Sequence, residues 1–206
     1  PHPMNAPEPI ALTIGQPYKG GFYAGKIAVA GIAHALILAP KAEGEHAPAI
    51  WIPRDKDLPA AKSYFDGLTN TNAMREAGSK LAAWSCDLRI GGFDDWYLPS
   101  QDELELLYRH FKPGTTENWC YARAGINLSA LPPTYPYTPE FPVQTSAEAF
   151  RAGGVEAFAE NWYWSSTRHA ANSDYAWCQN FDYGIQDYFS KGIQLRARAV
   201  RRIPIK

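Results

Sequence analysis

The strongest hydrophobic pattern in the chain lies in SQDELELLYRHFKP, residues 100–113. Leu104, Leu107, Tyr108 and Phe111 recur at i, i+3, i+4 and i+7, one face of a 3.6-residue period, so a helix is predicted there. Ser100 and Glu103 have the spacing of a capping box, in which each side chain satisfies an amide at the helix start. Pro113 ends the helix because it has no N–H to donate. A weaker stripe of Met74, Ala77, Leu81 and Trp84 predicts a helix over 71–84. Another is expected from Ser146 to Phe158, weakened at Gly153 and Gly154.

Elsewhere the pattern is that of strands. Short alternating segments between Gly20 and Pro40, broken at Gly25 and Gly31, predict two strands as a hairpin, and Ala49–Ile52 a further short strand. From Trp162 on, NWYWSST, DYAWCQNFDYG, IQDYFS and LRARAVRRIPI follow in turn. In the last, Leu195, Ala197 and Ala199 point one way, and Arg196 and Arg198 the other, where hydrogen bonds should fix them. Prolines at 132, 133, 136, 139 and 142 exclude a helix or central strand between them, so 112–145 is expected to be an ordered, irregular insertion.

Composition narrows the class. The chain has 206 residues, 14% aromatic, with seven Trp, seventeen Pro and sixteen Gly, which suits one loop-rich α+β domain better than a helical bundle. Pro1–Pro3 read as a cloning scar before Met4, leaving residues 4–206 as a single domain. Lys and Arg number 20 against 21 acids, so the basic excess of a nucleic-acid binder is missing. The most apolar run, Ile27–Ala39, is too short to span a bilayer, and no signal peptide is readable. Cys86, Cys120 and Cys178 show no metal or redox spacing and read as three free thiols, with a Cys86–Cys120 bridge as the open alternative.

Motifs of catalysis do not appear. Asp94, Asp95, Asp102, Glu103 and Glu105 crowd one turn and helix start without a calcium-loop pattern, so they read as acids complementing a helix dipole. The histidines lack ligand spacing, and Ser165, Ser166 and Thr167 have no base marked for them. No cofactor or metal is expected, and no enzymatic activity. Between Thr167 and Leu195, in contrast, aromatic residues alternate with Ser, Asp, Gly and Asn, a paratope-like mixture of rigid anchors and adaptable polar groups.

GGFDDWYLPSQDELELLY, then WYWSST, AWCQNFDYG and LRARAVRR, resemble in order the conserved blocks of the Lcl-type C-terminal domain family, over roughly residues 20 to 203. The resemblance implies a C-type-lectin-like fold, with two helices packed on small antiparallel sheets. It also implies a binding role, although the fold is a cousin of the formylglycine-generating enzymes. More narrowly, 162–203 resembles the variable region of proteins diversified by retroelements, in which template adenines are rewritten. On that resemblance Trp164, Trp177, Phe181, Gly184, Leu195, Arg196 and Arg198 form the framework, with Trp164, Trp177, Phe181 and Leu195 buried. The ligand-contacting variable positions are Arg168, His169, Ser173, Asp174, Tyr175, Cys178, Asp182, Tyr183, Ile185, Asp187, Tyr188, Phe189, Ser190, Gly192 and Ile193. None of them is Gln, Glu, Lys, Met or Trp, the five types that randomising an Asn codon at its adenines cannot give.

The function so implied is display of a diversified surface, its variable side chains exposed together on one side, to a protein or surface-glycan ligand. Phage receptor binding or bacterial surface recognition would be the setting, on a virion, in the bacterial cytoplasm, or at the surface by a non-classical route. A monomer is the default, with no nucleic-acid partner and no membrane insertion. The rivals are a fixed carbohydrate- or glycosaminoglycan-binding adhesin domain and an enzyme on the formylglycine-generating-enzyme-like fold. The first lacks the EPN, QPD and WND signatures of calcium-dependent sugar binding, and the second lacks a reactive cysteine pair.

Overall fold

A computed structural model describes residues 11–205 apart from 57–59 and 122; the reading of Pro1–Pro3 as a scar falls outside the described residues. The architecture is α+β, built on two curled sheets. In the first, β1 (Pro17–Tyr18), β2 (Gly21–Val29), β3 (Ile32–Leu38) and β10 (Val200–Pro204) lie in that order, with β5 (Ala130–Leu131) also on β2. In the second, β4 (Glu45–Ala49), β9 (Leu195–Arg198), β6 (Trp162–Arg168), β7 (Tyr175–Asn180) and β8 (Gln186–Ser190) run in that order. All pairs are antiparallel except β6 with β9.

The predicted hairpin forms as β2 and β3, and Gly25 marks a register shift within β2 rather than its end. The capping box at Ser100 and Glu103 forms as the spacing predicts, at the start of α4 (Gln101–Phe111). Its apolar stripe packs Leu104, Leu107, Tyr108 and Phe111 into the larger core, against β2, β3 and the buried Phe150, Phe158 and Phe181. A second core lies under the β6–β7–β8 sheet, where Trp51, Met74, Leu81 and Trp164 meet Ala176, Leu195 and Ala197.

Four expectations need correction. The helix over 71–84 is two helices, α2 (Gly67–Glu76) and α3 (Lys80–Asp87). Gly78 takes a φ of +95°, which ends α2, and Ser79 caps α3 by accepting from Ala82 N at 3.1 Å. The helix over 146–158 is replaced by a single 3-10 turn at Glu148–Phe150. There Gly153 turns with positive φ, and the bent chain buries both Phe150 and Phe158 while bringing Glu156 to Arg198. The strand expected at Ala49–Ile52 lies earlier, at Glu45–Ala49, directly after a one-turn helix α1 (Lys41–Gly44). The strand LRARAVRRIPI is shared between the sheets: β9 pairs in the second, Ala199 intervenes, and β10 pairs in the first.

That crossing fixes Arg198. Its guanidinium is fully buried and donates to Ala39 O at 3.1 Å, Glu156 O at 2.7 Å and Glu156 Oε2 at 3.0 Å, with its carbon 4.7 Å from the Phe158 ring. Arg196, half exposed, reaches Glu45 at 3.7 Å.

Candidate functional site

The acids around α4 hold structure. Asp95 pairs with Arg201 at 2.6 Å and Asp102 with Arg123 at 3.0 Å. Glu103 accepts from Ser100 N, Gly67 N and the Tyr97 hydroxyl. Glu105 accepts from the Tyr137 hydroxyl at 2.6 Å and Asn127 at 3.0 Å. Burial pushes the carboxyls of Asp102, Glu103 and Glu105 above the usual range, with these donors pulling the other way. Among the described residues no group of three or more His, Cys, Asp or Glu is placed to hold a metal ion.

The same network explains how the proline-rich insertion stays ordered. The Tyr108 hydroxyl donates to the Asn118 carboxamide, which Lys112 also reaches at 2.9 Å, while Asn118 donates to Pro142 O at 2.8 Å. Gln179 on β7 donates to the Tyr137 hydroxyl at 3.0 Å, tying the insertion to the second sheet. Arg123, carried by the insertion, lies with its guanidinium carbon 5.9 Å from the Trp177 ring and 5.7 Å from the Tyr64 ring.

Trp177 belongs to an aromatic platform on the outer face of β7–β8. Residues on one face of a strand alternate, so Tyr175 and Trp177 share a face with their cross-strand partners Ser190 and Tyr188. Trp177 and Tyr188 meet edge to face at 5.3 Å, and Tyr175 and Tyr188 lie 5.7 Å apart. His169, from the loop after β6, stacks at 4.2 Å on Tyr188. Tyr188 is 41% exposed and Tyr64 43%, a large solvent-facing aromatic area for one patch.

The predicted site residues fall into groups around this platform. Asp174 and Tyr188 are exposed, and Arg168, His169, Ser173, Tyr175, Asp182, Tyr183, Ile185, Asp187, Phe189, Ser190, Gly192 and Ile193 are half-buried. Cys178 is the correction: it is buried in the second core, its thiol donates to Asp187 O at 3.2 Å, and burial pushes its pKa up. Period-2 alternation put it there, because the neighbours of Tyr175 and Trp177 face inward. Phe189 and Ile193 lean on that same core, with Phe189 against Trp162 at 4.8 Å, so the fifteen do not share one face. Asp182, Tyr183 and Ile185 form the far turn, where Asp182 accepts from Thr116 at 2.6 Å.

The burial expected of the framework holds with one exception, while Arg196, expected to be fixed by hydrogen bonds, meets Glu45 as an ion pair with its Nε unpartnered among the described residues. Trp164, Phe181 and Leu195 are buried, and Gly184 takes a φ of +82° where a Cβ would lie 2.4 Å from Tyr108. Trp177 was expected in the core and instead stands half-exposed on the platform. Tyr64 and Arg123 were not anticipated, and nothing in local pattern marks them, because they meet beside Trp177 only through tertiary contact. Cys86, Cys120 and Cys178 are all free thiols.

The fold is thus an α+β domain of two antiparallel-rich sheets, the second of which carries a solvent-facing aromatic patch, and among the described residues no helix is long and apolar enough to cross a membrane. The pattern of the Lcl C-terminal domain matches residues 49–201, and the chain belongs to that family. No curated protein matches it.

Proposed function

We propose that this is a binding domain on a C-type-lectin-like scaffold, and that the β7–β8 platform receives a protein or surface-glycan ligand. The observation that carries the reading is the cluster of His169, Tyr175, Trp177 and Tyr188, in mutual contact, with Tyr188 exposed and the other three half-buried. Aromatic anchors of this kind supply contact area at low conformational cost, and Tyr and Trp dominate interface hot spots. Asp174, Ser173 and Ser190 surround them with small polar groups that tolerate substitution. The retroelement reading assigns these positions to the variable set and leaves Trp177 and Gly184 constant. It predicts, beside a reverse transcriptase gene, a near-copy of the codons for residues 162–203 that differs at adenines.

Binding rather than catalysis is also the role that the side chains favour. Ser165 donates to Trp177 O at 2.7 Å, and the Cys178 thiol is buried with a raised pKa, the reverse of an activated nucleophile. The test is a solid-phase screen of proteins and glycans with the native chain and a Tyr175→Ser, Tyr188→Ser variant. Ligands of the native chain should weaken at least about 100-fold with the fold retained. Unchanged binding by the variant refutes the assignment of the platform.

A further inference from the structure

An open sheet has edges, and native chains close them, because a row of unpaired backbone N–H and C=O groups accepts another strand. In the first sheet β1 and β5 are only two residues long, while β10 is bridged by Tyr97 at Val200 and ends at Pro204. In the second sheet the β4 edge carries Pro48, which has no N–H to offer. The β8 edge differs. Gln186–Ser190 holds no proline, and among the described residues it pairs with β7 alone.

The register decides which groups of β8 are open. Antiparallel pairs alternate between those that exchange backbone hydrogen bonds and those that do not. Lys191 N donates to Asp174 O and Asn180 N to Ile185 O, both at 2.9 Å, so the bonded pairs between them are Ala176 with Phe189 and Cys178 with Asp187. Tyr188 and Ser190 therefore turn their N–H and C=O away from β7, with their side chains on the platform face opposite Trp177 and Tyr175. Ser190 O closes the following turn by accepting from Ile193 N at 3.1 Å, and the Asp187 carboxylate accepts the Tyr188 N–H at 2.8 Å. A carboxylate over an edge N–H is a guard of the kind that keeps free edges from pairing with one another. Gln186 is buried and Tyr188 exposed, so the open stretch is 187–190.

We propose that the ligand of the platform is a protein segment in extended conformation, which adds as a strand to the open edge of β8. This rests on the assignment of the platform as the binding face and names the class of its partner. The segment's residue opposite Tyr188 accepts the Tyr188 N–H in place of Asp187 and donates its own N–H to Tyr188 O. Its side chain lies on the platform face beside the Tyr188 ring, where an apolar group fits. Two positions along, the residue opposite Ser190 projects from the same face toward a pocket of about 330 Å³. That pocket is lined by Arg54, Asp174, Tyr175, Ser190 and Lys191, groups that suit a polar side chain. Backbone bonds do not depend on side chains, so the edge persists through changes at Asp187, Tyr188, Phe189 and Ser190, all candidate variable positions. A second copy of this chain fits less well. In an antiparallel β8–β8 pair centred on Tyr188, the two Asp187 carboxylates meet diagonally on one face, and like charges across strands repel.

The probes are linear peptides selected on the full chain from a displayed library and then synthesised free. At saturation a selected peptide should slow amide hydrogen exchange at Tyr188 and Ser190 at least about tenfold, the factor that one net hydrogen bond supplies. Asp187 and Phe189, already bonded to β7, should exchange as before. Methylating the peptide amides one at a time should weaken binding at least about tenfold at every second position of the bound stretch, and little at those between. Slowed exchange without this alternation, methylation effects that do not alternate, or no selected peptide at all overturns strand addition. A dimer in sedimentation that the peptide dissociates makes a second copy the occupant and overturns it too, as does binding to a glycan array alone. Each of these failures leaves the platform itself standing, because the Tyr175→Ser, Tyr188→Ser variant tests that assignment separately.

Discussion

Trp164 and Trp177 sit on neighbouring strands of one sheet, each with an aromatic residue two positions earlier, and they do opposite things. Trp164, opposite Cys178 in the ladder, is fully buried among Trp51, Met74 and Leu81, and its indole donates to Ala49 O at 2.9 Å. Trp177 lies on the other face, half-exposed, tilted against His169 and edge to face with Tyr188, its indole N–H unmatched within the described chain. One ring is packed and satisfied and secures the fold. Its counterpart is half-exposed, and on the proposed reading such a ring is what a ligand can use. The difference teaches that the Trp164 face of this sheet is closed core, whereas the Trp177 face is closed at Gln179 and open at Trp177 and Tyr188, the part that the proposed function assigns to recognition.

The most severe challenge to that contrast is the pair of alanine substitutions. Trp164→Ala should cost about 3–5 kcal/mol in chemical denaturation, as a large truncation in a closed core, whereas Trp177→Ala should cost about 1 kcal/mol. Equal losses would erase the distinction between the faces. Arg198→Met tests what joins the sheets: it strips the buried partner from Glu156 and should cost about 3 kcal/mol. Adding Glu156→Gln should recover part of that loss. A neutral Arg198→Met would show that the crossing between β9 and β10 is held by packing alone.

On the recognition side the expected effects shrink. Tyr188→Ala should shift stability by no more than about 0.5 kcal/mol while weakening whatever the platform binds; a larger destabilisation would place the ring in the core economy of the fold. The smallest effect concerns pH, far from both tryptophans. His110 donates its Nδ1–H to Ala24 O at 2.7 Å, and burial lowers its pKa below the ordinary 6.5. A lowered folded-state pKa means stability present above 6.5 and lost as the pH falls through the folded value. Asp102, Glu103 and Glu105, raised by burial, work in the opposite sense. The contribution of His110 is therefore isolated as the difference between native and His110→Gln denaturation at pH 7.5 and 5.0. The native chain should lose more stability on acidification than the variant, and parallel losses would remove His110 from the balance.

Much of the scaffold was legible. The capping box at Ser100, the stripe of α4, the β2–β3 hairpin and the irregular insertion all follow from local rules, because spacing and turn chemistry act within a few residues. Helix boundaries were less so. Gly78 followed by Ser79 is both a helix stop and a helix start, and a continuous apolar stripe masked it. Over 146–158 the helical signal lost to the need to bury Phe150 and Phe158 and to match Arg198. For the site, composition located the aromatic tail, but alternation decided which side chains face out, and it turned Cys178 inward and Trp177 outward.

The sequence by itself determined that the chain is an α+β domain with a strongly capped helix, a strand-rich aromatic tail and no recognisable catalytic motif, since these depend on residue type and short-range periodicity. Only the tertiary structure decided which part of β7 is open, that Arg198 and Glu156 clasp the two sheets, and that Arg123 lies over both the Trp177 and Tyr64 rings. Those residues are far apart along the chain, and no local periodicity encodes their meeting. Their positions are set by how α4, the insertion and the β6–β7–β8 sheet close around shared buried side chains, an outcome of packing the whole domain at once.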